Sequence, residues 1–85
     1  MRSVELERID EPIRVLADCA GGEIRPLRFR WSQRTYKVEA VNAKWIDRQG
    51  EVYCLHYSVQ ADGQTYYIHF DSSGAQWWLD ETIVT

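Results

Sequence analysis

The chain has 85 residues, 45% hydrophobic and 13% aromatic, with ten Lys and Arg against thirteen Asp and Glu. That is one small globular domain with a thin core, too short to build an enzymatic cleft between domains. The apolar runs are too short to span a bilayer, and the acidic, interrupted N-terminus does not fit a secretory signal peptide.

The charge is unevenly spread. Residues 1–24 hold three Arg against six carboxylates, and residues 25–48 hold seven Lys and Arg against two. Residues 49–85 hold five carboxylates and no Lys or Arg. Such blocks suit neighbouring strands that pair opposite charges across a sheet, or a basic patch facing an anionic partner.

Taken in chain order, residues 1–11 scatter Val4, Leu6 and Ile9 among charges and read as a loose N-terminal arm, or a short edge strand, ahead of Pro12. Residues 12–85 form the domain. Ile13, Val15 and Ala17 alternate as a first strand, and Gly21-Gly22 marks a turn. Leu27, Phe29 and Trp31 then alternate with Arg28 and Arg30, and Tyr36, Val38 and Ala40 with Lys37 and Glu39. Period-two alternation of this quality predicts a hairpin. A two-residue turn at Ser32-Gln33 would set Phe29 opposite Tyr36 and Leu27 opposite Val38. The apolar face would then carry Leu27, Phe29, Tyr36 and Val38, and the other face Arg28, Arg30, Thr35 and Lys37. Residues 43–48 read as a bend or one helical turn.

A second hairpin follows Gly50. Asp62-Gly63 is a preferred type I′ pair. It would set Leu55 opposite Phe70, Tyr57 opposite Ile68 and Val59 opposite Tyr66, and on the other face Cys54 opposite Asp71 and His56 opposite His69. Residues 77–84 form a closing strand with Trp77 and Leu79 on one side. The expected fold is all-β: a small, partly closed barrel of five or six antiparallel strands, SH3-like or similar. Residues 13–17 and 83–85 are its candidate open edges.

Cys54, His56, His69 and Asp71 would share one sheet face and are all metal-capable. A flat strand face rarely converges four ligands on a point, so the preferred reading is a half-polar surface with a cross-strand His pair. No metal and no cofactor is expected. Nucleophile elbows and phosphate-binding glycine loops are absent from the sequence, which argues against an enzyme. Cys19 and Cys54, with no C-x-x-C pair, read as free thiols of a cytoplasmic protein. Arg28, Arg30 and Lys37 are the candidate nucleic-acid-binding residues, with Trp31 and Tyr36 of the same hairpin turned toward the core. Trp77 and Trp78 cannot share one face of a regular strand. Trp78 with Tyr67 is therefore the candidate aromatic interface for a protein partner.

The run Arg25-Pro26-Leu27-Arg28-Phe29-Arg30-Trp31, with Arg34-x-Tyr36-x-Val38-Glu39-x-Val41 and Trp45, has a familiar form. So have Tyr53-x-Leu55-x-Tyr57, Asp62-Gly63, the segment 66–71 and Trp78-Leu79-Asp80. Together, over roughly residues 11–84, they resemble a small bacterial domain family of unknown function. Similar segments also occur at the C-terminal end of proteins related to Y-family DNA polymerases. The resemblance implies a binding or accessory role near DNA repair and supplies no catalytic residue. Similar sequences place Gly in the first hairpin turn, where this chain has Gln33, and reserve no ligand role for Cys54, His56 or His69. The expected function is a non-enzymatic binding module for a protein partner, with nucleic-acid binding as the alternative and a metal-binding enzyme a remote third reading.

Overall fold

A computed structural model describes residues 4–84. Seven strands make it up: β1 (Glu5–Asp18), β2 (Arg25–Trp31), β3 (Arg34–Lys37), β4 (Ala40–Gln49), β5 (Val52–Ala61), β6 (Gln64–Asp71) and β7 (Gln76–Val84). They form one antiparallel sheet in the order β3-β2-β1-β7-β6-β5-β4, curled into an open half-barrel. The strands number seven rather than the expected five or six. Among the described residues there is no helix, and so none long and apolar enough to cross a membrane.

Two segments account for most of the difference. The expected arm is strand from Glu5 onward, the N-terminal half of β1, and it is paired on one side only, where Glu5 faces Val84 and Leu6 faces Ile83; residues 1–3 lie outside the described residues. Pro12 does not interrupt it. The β1–β2 ladder begins only at Arg14, so Pro12 sits where β1 has a single neighbour and its missing N–H is tolerated. Residues 43–48 are also strand, not a bend, because Trp45 pairs with His56 and Ile46 with Leu55. Strand pairing overrides weak local preference here.

Both hairpins adopt the registers that alternation predicts. Phe29 faces Tyr36 in the first; Leu55 faces Phe70 and His56 faces His69 in the second. Ser32 and Gln33 both take positive φ, 51° and 66°, so the first turn has type I′ geometry without the usual Asn or Gly.

The inner face carries the core: Ile13, Phe29, Tyr36, Tyr57, Val59, Ala61, Tyr66, Ile68 and Leu79. Phe29 stacks on Tyr36 with centroids 5.0 Å apart and meets Tyr66 edge-on at 5.3 Å. Such pairs contribute about 0.5–1.5 kcal/mol beyond area burial. Leu27 is not part of this face. Leu16 pairs with Arg28 and Ala17 with Pro26, so Leu27 is the extra residue of a bulge; it is 38% exposed while Pro26 is buried in its place.

The sheet edges are β3 and β4. Residues 13–17 lie in interior strand β1, and Ile83 pairs on both sides, with Leu6 and Thr65; Thr85 lies outside the described residues. One short step joins the two edges. The Val38 amide donates to the Leu27 carbonyl and the next amide, of Glu39, to that of Gln60. The chain thus passes directly from one rim of the half-barrel to the other. Arg34 and Asp62, 3.1 Å apart, and Lys44 and Glu23, 3.2 Å apart, add exposed ion pairs between distant parts of the sheet.

Candidate functional site

The outer face of the sheet, opposite the core, carries two unlike regions. The first spans β1, β2 and β3. Ile13, Phe29 and Tyr36 point inward, which turns their neighbours Arg14, Arg28, Arg30 and Lys37 outward, and all four are exposed. Arg14 pairs directly with Arg30, and Arg28 with Lys37. Like charges placed directly opposite are destabilising. Elsewhere the cations do find carboxylates: Arg25 meets Asp18, Arg34 meets Asp62 and Lys44 meets Glu23. Among the described residues, none of the four plate cations forms an ion pair. Only Arg25–Asp18 joins neighbouring strands, so the expectation that adjacent strands neutralise the basic segment holds at that one rung and fails on the plate.

Arg28, Arg30 and Lys37 thus share one exposed face. Tyr36 is buried and Trp31 half-buried, both within the aromatic cluster of the core. The plate offers charge and hydrogen-bond donors, and neither ring is available for base stacking.

The second region spans β4 to β7. Trp45, His56, His69 and Trp78 are successive cross-strand partners, and Pro12 of β1 continues the row beyond Trp78. Trp45 stacks on His56 at 5.2 Å and 4°. His56 lies 5.2 Å from His69, and His69 stacks on Trp78 at 6.5 Å and 13°. Burial, and then the neighbouring His69, hold the His56 pKa below the ordinary histidine value. His56 is accordingly neutral near pH 7.

Asp80 completes this region. It follows Trp78 by two residues and so emerges on the same face, and it is the extra residue of a bulge between Tyr67–Glu81 and Ile68–Leu79. Both its carboxylate oxygens lie against His69 Nδ1, at 2.7 and 2.8 Å. An ionised carboxylate only accepts hydrogen bonds, so Nδ1 carries the proton and donates. One ligand atom from each of His56, His69 and Asp80 falls within a mutual 4.8 Å. A shallow groove of ≈ 470 Å³ runs past them, bordered by Leu6, Arg8 and Trp45.

The expected metal-capable set differs from the one the fold assembles. Cys54 does oppose Asp71, and His56 does oppose His69. Asp71 is occupied in its own turn, however, accepting from the Ser73 amide at 2.9 Å and the Ser73 hydroxyl at 2.7 Å. Those bonds hold its carboxyl below the ordinary value. Burial, followed by nearby Asp71, raises the Cys54 thiol pKa and disfavours the thiolate a metal needs. Cys19 and Cys54 are both free thiols. Asp80 takes the place of the withdrawn pair. Its signal in the sequence is the placing of Trp77 and Leu79 on the core side, which sends Trp78 and Asp80 outward together.

Tyr67 and Trp78 both belong to the outer face but are half-buried. Among the described residues, the exposed large aromatic is Trp45, at 48%. Comparison with known proteins returns no matching family model, no matching curated protein and no matching solved structure.

Proposed function

We propose that the protein is a non-enzymatic binding module that docks a nucleic-acid strand on the plate formed by Arg14, Arg28, Arg30 and Lys37. The observation that carries this reading is the pair of like-charge cross-strand contacts left without carboxylates on an exposed face. Like charges directly opposite each other weaken a sheet, so two such contacts on one exposed face are relieved by a counter-charge from outside. Phosphates supply the missing counter-charge, and three of the four cations are Arg, whose fork suits phosphate oxygens. With Trp31 and Tyr36 turned inward, contact is to the backbone and independent of base sequence. A cytoplasmic setting and an accessory role near DNA repair, the latter implied by the resemblance, belong to the same proposal.

Fluorescence anisotropy with a labelled single-stranded oligonucleotide tests it. Four phosphate contacts give a slope of log affinity against log salt of roughly −3. Reversing both Arg28→Glu and Arg30→Glu flattens the slope and weakens binding by tenfold or more at low salt, an order-of-magnitude figure. No signal at tens of micromolar protein in low salt refutes the proposal.

A second reading, docking of a protein partner, draws on β4. This edge strand is exposed along nearly its whole length, and Trp45 and Ile46 are each 48% exposed. A partner could add a strand there. Salt-insensitive binding abolished by Trp45→Ala would favour it over the plate.

A further inference from the structure

We propose that His56, His69 and Asp80 form a binding site for a single divalent transition-metal ion of the zinc class, on the outer face of β5, β6 and β7. The donor set is two imidazoles and a carboxylate, which suits zinc and its borderline neighbours better than calcium or magnesium, both of which prefer all-oxygen shells. Three protein ligands leave the fourth tetrahedral position open toward the groove, where solvent enters.

Several features of the fold prepare these residues. The two imidazoles are cross-strand partners, so the ladder holds their Cα atoms in register. Each ring is sandwiched from outside, His56 by Trp45 and His69 by Trp78, which limits its rotation. The Asp80 bulge brings the carboxylate against His69, and the ion takes the place of the Nδ1 proton between them, which is released to solvent. Ligand atoms around tetrahedral zinc lie about 3.4 Å apart, given bonds near 2.0–2.1 Å. The three groups here lie within 4.8 Å of one another, so small side-chain rotations close the shell. Asp47 and Asp71, on the rung at one side of the imidazole row, add negative charge; on the other side Glu81 faces Arg8 across the β1–β7 ladder. Asp71 and Cys54 are not ligands in this proposal, since the Ser73 amide and hydroxyl hold Asp71 in its own turn and Cys54 is not among the three groups whose ligand atoms converge. The site is separate from the cationic plate and does not depend on the nucleic-acid reading.

The test uses the full chain without a histidine tag, stripped with chelator and titrated with zinc chloride in a calorimeter. The expected result is one zinc per chain, with no heat from magnesium or calcium. His69→Ala and Asp80→Asn each weaken zinc binding by roughly tenfold to a hundredfold, as loss of a ligand or its carboxylate partner does elsewhere. Asp71→Asn leaves the affinity within about twofold. Should a variant fail to fold, ring-proton NMR of the native chain decides, because zinc must shift the resonances of both histidines together. Four outcomes overturn the proposal: no binding, more than one weak ion per chain, an Asp80→Asn affinity equal to the native one, or only one histidine responding.

Discussion

The two halves of the outer face solve opposite problems with the same backbone. On the plate of β1–β3, Arg14 faces Arg30 and Arg28 faces Lys37, and among the described residues no carboxylate pairs with any of the four. On β4–β7, rings cover rings, and the charged member, Asp80, is already hydrogen-bonded to His69. The first region is left electrostatically unsatisfied and needs something from outside. The second is internally ordered and offers a shaped set of lone pairs. One strand, β1, borders both, since Pro12 ends the aromatic row and Arg14 begins the plate two residues later. The lesson is that an inward-facing pattern shared by all strands leaves the outer face free to diverge chemically from one end of the sheet to the other.

Damage to the common core should disable both regions at once. Leu79 is fully buried on β7, so Leu79→Ala should cost about 3 kcal/mol. A domain of this size has few kcal/mol to spare. Chemical denaturation should show the loss, and oligonucleotide and zinc binding should fall together. A variant that kept one and lost the other would show that the halves fold separately.

A smaller effect sharpens the contrast. Arg28→Glu converts the like-charge contact with Lys37 into an opposite-charge pair. Stability should rise by a few tenths of a kcal/mol up to ~1 while oligonucleotide binding falls. Urea melts and anisotropy on the same variant read both quantities, with zinc affinity unchanged. A loss of stability would mean that the plate is not under repulsion.

The smallest effect concerns Asp71. Hydrogen bonds from Ser73 lower its pKa, so its contribution is present above the ordinary carboxylate pKa and fades as pH falls through the lower folded value. Asp71→Asn should therefore leave a thermal melt at pH 7 slightly weakened and reduce the further loss seen below about pH 4. An unchanged acid dependence would mean that the Asp71–Ser73 contact is not made in solution.

How much of this could be read in the residues varies by region. The cationic plate was legible, because Arg28, Arg30 and Lys37 alternate with core residues inside one hairpin. Arg14 joined them only through the pairing of β1 with β2. The imidazole pair was legible for the same reason, as Asp62-Gly63 sets its register. Asp80 was not, because its approach to His69 depends on how β7 meets β6 and on a bulge between them. Leu27 was misplaced by another bulge, and Trp45 by a strand whose local sequence does not announce itself.

Alternation and turn chemistry, acting over about ten residues, were enough to determine the all-β class, both hairpin registers and the outward set Arg28, Arg30, Lys37, His56 and His69. Which strands became edges, where the first and last strands met, and which carboxylate reached the histidines were decided only when distant segments paired. Period two assigns a side chain to a face but says nothing of the neighbour across it. A single inserted residue also changes the register of everything beyond.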